Sequence, residues 1–262
     1  MIATRRQIFT ILLIGIVLLS AESADAMTDQ EAARKLEAMD WYSEEYPPFN
    51  YLGEDGVPTG MAVDIMLAAL KKVGAHMSPT AFKIVPWNVS YGLVQRKPGT
   101  VLFSTTYTPE RQRMMKFVGP SVPVRVSVIV AKDKHIVIKD PIDLASLKIG
   151  VVRDDIGDQL IRQFALSDES IARKDSLRQL YHYLERGRVD AIAYATDVFS
   201  YFLRKTGLNP KLYEEVYVLK EGHLGYAFHK STPPEILEPL QRAIDELHDD
   251  GTIAQIIDRY NR

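Results

Sequence analysis

The spacing of apolar residues in this chain changes repeatedly between the period of a helix and the period of a strand. Apolar residues recur every three or four positions from 63 to 73 and predict a helix that ends at Gly74. Strands are predicted at 101–103, 121–130, 148–152, 189–194, 215–220 and 224–229, and further helices at 158–165, at 177–184 after Ser176, after Pro233-Pro234 and after Thr252. This alternation is typical of α/β proteins, in which helices cover a sheet.

Two of the predicted strands, 121–130 and 215–220, can cross from one lobe of such a protein to another. The chain contains no internal repeat, no low-complexity tract and no long linker. We therefore expect any lobes to be joined by strands and not by a flexible tether.

The first 26 residues have the three-part pattern of an export signal. Arg5 and Arg6 precede an apolar run from 8 to 19, and the tripeptide Ala24-Asp25-Ala26 supplies a small-residue cleavage site. An apolar run of about a dozen residues is shorter than the roughly 20 that a membrane-spanning helix needs. We predict cleavage after Ala26 and a periplasmic or extracellular location.

Composition removes several classes of function. The chain has 32 Lys and Arg against 34 Asp and Glu, a formal net charge of −2, so a nucleic-acid partner is disfavoured. It has no cysteine for disulfides, thiolate metal sites or lipid attachment. Its six histidines are scattered and match no metal-ligand spacing. No metal, other cofactor or catalytic residue is predicted.

The segment 104–111 brings hydroxyl side chains and an arginine together at the end of a predicted strand. The planar guanidinium of Arg111 matches the two oxygens of a carboxylate, and Ser104 and Thr106 can add single hydrogen bonds. The alternative is a surface arginine paired with Glu110 or with solvent. The segment predicts a carboxylate site with Arg111 as its charged group.

Three aromatic residues, Tyr46, Phe49 and Tyr51, flank the Pro47-Pro48 pair after the first predicted strand. The prolines fix an extended turn, and the rings beside it can stack on a ligand. The alternative is that the rings pack within their own domain. This alternative is at least as favourable as ligand stacking for Phe49 and Tyr51, and for Tyr46 both interpretations are open.

The segment 150–158 passes from a strand through a turn into the start of a helix. Free N–H groups at such a start can hold an anion. Asp154, Asp155 and Asp158 already place negative charge there, and they can equally be ordinary helix caps. The glycine spacing and the lysine of a phosphate loop are absent from the segment.

Several segments, taken in order, carry a resemblance to one family: Tyr46-Pro47-Pro48-Phe49, 60–65, 106–111, 187–191 and 250–252. From about residue 41 to residue 260 the chain resembles the family 3 periplasmic solute-binding proteins, which serve ABC importers for polar amino acids. The resemblance implies an α/β, two-lobed periplasmic binding protein fold of type II, with a mixed sheet flanked by helices in each lobe and two crossing hinge strands. Lobe one would comprise 36–122 plus 222–262, and lobe two 127–217.

The resemblance also implies roles for individual residues. Arg111 matches the family's arginine that pairs with the α-carboxylate of the ligand, and Ser104 and Thr106 match the groups just upstream of it. Tyr46 matches the aromatic residue that packs on the ligand side chain.

Two departures from the family pattern concern the polar ends of the ligand. The lobe-two loop has Asp154-Asp155-Ile156 where amino-acid binders usually offer Gly-Ser/Thr-Thr, and Ala195 stands where the ammonium-binding aspartate is expected. Asp155 or Asp197 can supply the negative partner for an ammonium group. Otherwise the ligand lacks an α-amino group, as a small carboxylate does.

The resemblance implies a monomeric exported protein that captures a small polar solute, foremost an amino acid, for a membrane ABC permease. An enzyme on the same scaffold, similar to cyclohexadienyl dehydratase, is one alternative. It would need a general acid, and Glu44, Glu45 and Asp197 give no convergent pair in the sequence. A ligand-binding partner of a membrane sensor is the other alternative.

Overall fold

The computed structural model describes residues 27–164 and 166–261, so the signal peptide predicted for residues 1–26 lies outside the described residues. Within the described ranges, no helix has both the length and the hydropathy that crossing a membrane requires. Strands and helices alternate along these ranges, which confirms the predicted α/β class.

The strands are short except for two that run through the middle of the sheet. They are β1 (Asp40–Ser43), β2 (Tyr51–Leu52), β3 (Pro58–Thr59), β4 (Lys83–Ile84), β5 (Thr100–Thr106), β6 (Met115–Val118), β7 (Pro123–Ala131), β8 (Ile149–Val152), β9 (Ile171–Lys174), β10 (Ala191–Ala195) and β11 (Tyr213–His229).

The helices lie between these strands and at both ends of the described chain. They are α1 (Asp29–Glu37), α2 (Met61–Lys72), α3 (Trp87–Arg96), α4 (Pro109–Met114), α5 (Ile156–Ile161), α6 (Leu177–Glu185), α7 (Thr196–Lys205), α8 (Pro234–Asp249) and α9 (Thr252–Asn261). Short 3₁₀ helices occupy Pro79–Ala81, Lys132–Lys134, Pro141–Ser146, Asp168–Ser170 and Pro210–Leu212.

One mixed sheet runs through the molecule in the order β4-β1-β5-β11-β7-β10-β8-β9, with β6 paired to β11 beside this path. In lobe one, β1 is parallel to β4 and β5. In lobe two, β8 is parallel to β9 and β10. Antiparallel pairs join these two groups through β7 and β11.

The strand β11 takes part in both lobes. Its residues 224–229 pair with β5 and β6, whereas residues 213–223 pair with β7. The strands predicted at 215–220 and 224–229 are therefore one continuous strand, because residues 221–223 between them also pair with β7. β7 and β11 are the two crossing strands.

One large apolar cluster extends through both lobes, and lobe two has a second, smaller cluster. In lobe one, Trp41 is fully buried, with the rings of Phe103 and Phe228 at centroid distances of 5.9 and 5.8 Å. In lobe two, alternate residues of neighbouring strands, among them Val128 and Val151, form a separate core. In these strands every second side chain faces the core, as expected for strands in which successive side chains point to opposite faces of the sheet.

Most predicted helices are confirmed, with one change of bounds near the cleft. The helix predicted at 158–165 is α5, which begins two residues earlier because Asp155 caps it and ends at Ile161. Ser176 caps α6 as predicted, since its Oγ accepts a hydrogen bond from Gln179 N. The helices α1, α3, α4 and α7 were not predicted, because their apolar residues are few or mixed with polar and aromatic ones.

Candidate functional site

A cleft of about 910 Å³ lies between the two lobes. Lobe one contributes Glu44, the turns around β2 and β3, and Trp87 at the start of α3. Lobe two contributes Tyr194 on β10 and residues of α6 and α7, such as Phe202. A concave, partly aromatic cavity of this size is usual for a small-molecule site.

The local sequence around Arg111 returns its side chain to the end of β5. Thr108 caps α4 by accepting a hydrogen bond from Arg111 N at 3.1 Å, and Pro109 is the first helical residue. Because the helix starts three residues after Thr106, Arg111 Nη1 reaches back and donates to the Thr106 carbonyl at 3.5 Å.

The guanidinium of Arg111 is fully buried among aromatic rings. Its Cζ lies 5.1 Å from the ring centroid of Trp87 and 5.3 Å from that of Tyr91, and these two rings stack on each other. Nε and Nη2 of Arg111 have no hydrogen-bond partner among the described residues. Buried N–H groups of a cation are costly without a partner, so the arrangement fits an incoming anion. The surface alternative for Arg111 is wrong.

Two carboxyl groups approach this guanidinium from opposite lobes. Glu44 directly follows β1 and lines the cleft, and Asp155 caps α5 with its Oδ1 2.6 Å from Ile156 N. Desolvation, followed by the charge of Asp155, holds the pKa of Glu44 well above its usual range, and Arg111 acts in the opposite direction. Desolvation likewise raises the pKa of Asp155, against the effect of Arg111.

The ring of Tyr46 packs both on its own domain and on the other lobe. It is buried, 5.5 Å from the ring centroid of Phe49 and 5.9 Å from that of Tyr194, which lines the cleft. Desolvation and the nearby carboxylates, first among them Asp155, raise the pKa of Tyr46, so its hydroxyl stays protonated. Tyr46 is thus placed beside the cleft, with its ring held by neighbouring aromatic residues.

A bulge in β5 changes the expected alternation of its hydroxyls. Gly225 pairs with Thr105 and Ala227 pairs with Leu102, so β5 carries one extra residue, and Ser104 adopts a left-handed φ of 47°. Ser104 Oγ donates to Asn50 Oδ1, which commits the hydroxyl proton to a neighbouring loop of lobe one. Thr106 is buried beside Arg111, which it contacts through its carbonyl oxygen.

The remaining predicted residue, Asp197, is exposed in the first turn of α7. Ala195, at the position of the family's expected aspartate, is fully buried at the end of β10. The structure therefore brings Arg111 and Asp155 together and leaves Asp197 at the surface.

Three groups beside the site were not predicted as ligand contacts: Glu44, the stacked pair Trp87 and Tyr91, and Gln159. Gln159 Nε2 donates to Tyr91 Oη at 3.2 Å, while its Oε1 and Trp87 Nε1 are buried without a partner among the described residues. The sequence could have indicated that Glu44 lies at the site. Glu44 follows β1, and Arg111 follows the parallel neighbour β5, so both lie at the same edge of the sheet.

Several contacts join the lobes across the cleft. The rings of Tyr51 and Tyr201 are 5.7 Å apart, and Lys205 Nζ lies 3.2 Å from Glu54 Oε1. With the bond between Gln159 and Tyr91, they hold the lobes together around the buried charges. The arrangement is that of a two-lobed binding protein with its lobes closed.

Comparison with known proteins agrees with this class of protein. The chain belongs to the bacterial extracellular solute-binding proteins, family 3, whose family model matches residues 41–262. This membership confirms the resemblance described from the sequence.

Individual relatives include transport proteins for amino acids. The L-cystine-binding protein TcyJ of Escherichia coli K12 is 26% identical over 216 residues, covering 82% of this chain and 79% of that protein. The ABC transporter arginine-binding protein 1 of the same strain is 26% identical over 225 residues, covering 83% and 88%.

Among solved structures, an ancestral amino acid-binding protein described as a precursor of cyclohexadienyl dehydratase has a TM-score of 0.70. It is 21% identical, and the match covers 88% of this chain and 99% of that one. This likeness shows the shared fold.

Proposed function

We propose that this protein binds a free amino acid between its lobes and presents it to an ABC importer. The observation that carries the proposal is the buried guanidinium of Arg111, whose Nε and Nη2 have no partner among the described residues. A ligand carboxylate would accept from this planar group and neutralise it. The family and the two transport relatives support the same role.

The partner of the ligand ammonium is, in our proposal, Asp155. It is buried, it caps the helix α5 of lobe two, and the charge of Arg111 favours its ionised form. Asp197, the other candidate, is exposed. Ser104, Thr106 and Tyr46 would shape the carboxylate and side-chain ends of the site from lobe one.

The boundaries and the location of the protein belong to the same proposal. The lobes would be 36–122 plus 222–262 and 127–217, with the hinge where β7 and β11 pass between them. Export with a signal peptide cleaved after Ala26 would deliver the protein to the periplasm or the medium, in keeping with an extracellular solute-binding family.

The test is a thermal-shift screen of the purified protein against amino acids and small carboxylates, repeated with Arg111→Ala. A ligand present at one hundred times its dissociation constant should add about 2.7 kcal/mol to the free energy of unfolding. Arg111→Ala should lose this stabilisation. The matched control is Arg113→Ala, which removes an exposed arginine from the same helix and should keep it.

Two results would contradict the proposal. One is a ligand that stabilises Arg111→Ala as strongly as the unmodified protein, since the carboxylate would then bind elsewhere. The other is a screen in which no amino acid stabilises the protein.

A second candidate function, an enzyme acting on a small hydroxy acid, is favoured by the approach of Glu44 and Asp155. A carboxyl group with a raised pKa beside a second carboxylate can serve as an acid and base pair. Glu44 would protonate a leaving hydroxyl while Asp155 takes a proton from the adjacent carbon, so that water leaves and a C=C bond forms. Proton NMR of each stabilising ligand, incubated with the protein, would show the loss of substrate signals if this holds.

A further inference from the structure

We infer that the site selects amino acids with a net charge of +1, whose side chain carries a cation that pairs with Glu44. This inference rests on the proposed function above, in which Arg111 binds the α-carboxylate and Asp155 the α-ammonium group. It assigns Glu44 as the residue that determines specificity.

The carboxyl groups around Arg111 outnumber the cations there. Arg111 and Asp155 are buried, and Glu44 is half-buried at the edge of the cleft. Arg111 contributes one positive charge, while Glu44 and Asp155 contribute two negative charges when both are ionised. The nearby Asp158 is fully buried but already paired, with Arg162 Nη2 at 2.5 Å and Arg173 Nε at 3.1 Å. The site at Arg111 therefore has one carboxyl group more than it has cations.

The other charged groups that line the cleft are all exposed side chains: Glu45, Glu54, Asp175, Arg178 and Lys205. Lys205 is paired with Glu54, and Asp175 with Arg153. Exposed charges are screened by water and salt, so they do little to balance the excess carboxyl group at Arg111.

A ligand changes this balance according to its own charge. With a zwitterionic amino acid, which brings one negative and one positive charge, Glu44 either stays protonated or is left ionised without a cation. A second ligand cation lets Glu44 ionise and form an ion pair, and the closed site is then neutral. Only the cationic ligand gains this ion pair, so the difference between the two ligand types should appear in affinity.

The second cation of the ligand would lie beside Glu44. Arg111 and Asp155 do not line the 910 Å³ cleft, whereas Glu44 does, together with Trp87 and Tyr194. A ligand held at Arg111 would extend its side chain past Glu44 into the cleft. The aromatic walls there can cover an aliphatic stem and attract a cation at its end.

The ionisation of Glu44 agrees with this geometry. Desolvation and Asp155 raise its pKa, which favours a protonated Glu44 in the unliganded protein. A ligand cation would favour the ionised form instead, so binding of a cationic amino acid should release a proton.

The experiment is isothermal titration calorimetry with L-arginine and L-citrulline, which have nearly the same shape but differ by the charge of the side chain. The unmodified protein should bind L-arginine at least about tenfold more tightly, equivalent to ~1.4 kcal/mol. Glu44→Gln should reduce this ratio to about threefold or less while still binding both. Glu110→Gln, which removes an exposed carboxylate outside the cleft, is the matched control and should keep the ratio.

The outcomes separate this inference from the proposed function. Equal affinity for the two ligands in the unmodified protein, with both lost in Arg111→Ala, would overturn the charge selection and leave amino-acid binding intact. An unchanged ratio in Glu44→Gln would overturn the role of Glu44. If neither these ligands nor any other amino acid binds the unmodified protein, both the inference and the proposed function fail.

Discussion

At the scale of single residues, charge and burial conflict around Arg111. The guanidinium and the carboxyl groups of Glu44 and Asp155 lie in or beside a closed cleft, although each group is better solvated in water. Such an arrangement lowers the free energy of unfolding of the unliganded protein. For the same reason, a ligand of complementary charge should stabilise the protein strongly.

This conflict predicts how the unliganded protein responds to pH. Since the pKa of Glu44 is higher in the folded than in the unfolded state, the folded protein binds more protons above about pH 4.5. The free energy of unfolding should therefore fall as the pH rises from 5 through the folded-state pKa. Urea unfolding between pH 5 and 8 measures this fall, and Glu44→Gln should make it smaller.

The control for the pH experiment is again Glu110→Gln, which should leave the fall unchanged because this carboxylate is exposed and lies outside the cleft. Carboxylates with a lowered pKa, such as Asp40 beside Lys83 and Lys97, act in the opposite direction but at lower pH. A Glu44→Gln variant with the same pH dependence as the unmodified protein would contradict the desolvation of Glu44.

At the scale of elements, the short helix α5 positions Asp155 by packing directly on β10. A Cβ atom added at Gly157 would lie 2.1 Å from the carbonyl oxygen of Ala193. Only glycine lets the first turn of α5 approach the strand so closely, and this approach holds the capping Asp155 beside the cleft.

Gly157→Ala should destabilise the protein by about 3 kcal/mol, because the clash is with backbone and α5 must move away from β10. Urea unfolding measures the loss. The matched control is Gly92→Ala in α3, where the new Cβ would meet only the guanidinium of Arg96, the end of a flexible side chain. That variant should be neutral or stabilised by about 0.5–1 kcal/mol. Equal effects of the two substitutions would contradict the packing argument.

At the scale of the whole molecule, the lobes meet through a few contacts on either side of the cleft. Tyr51 of lobe one and Tyr201 of lobe two, which both line the cleft, form an aromatic contact across it, with ring centroids 5.7 Å apart. The ion pair between Glu54 and Lys205 is exposed and should contribute little. Closure should therefore depend more on the tyrosine pair.

A double-mutant cycle with Tyr51→Ala and Tyr201→Ala tests this dependence. Each substitution should weaken ligand binding, and the pair should show a coupling of about 0.5–1.5 kcal/mol in the binding free energy, as expected for an aromatic contact. Titration calorimetry measures the four affinities, and Tyr201→Phe, which keeps the ring, is the control. Strictly additive effects would indicate that the two rings act on the ligand separately.

Much of the fold follows from the sequence, because the period of the apolar residues depends on the regular geometry of helices and strands. The helix α2, the capped α6 and the strand β7 were predicted for this reason. The helix α3 was not predicted, since its buried residues include Trp87 and Tyr91, which serve the site as well as the core.

For the site, the sequence determined which residues carry the chemistry, and the tertiary structure decided which of them meet. The Thr108-Pro109 start of α4 returns Arg111 to the end of β5, and this much is local. That Asp155 and Glu44 approach the guanidinium while Asp197 stays exposed depends on the pairing of β7 with β11 and on closure of the lobes. The physical reason is that capping and periodicity act over a few residues, whereas desolvation and charge pairing act between groups far apart in the chain.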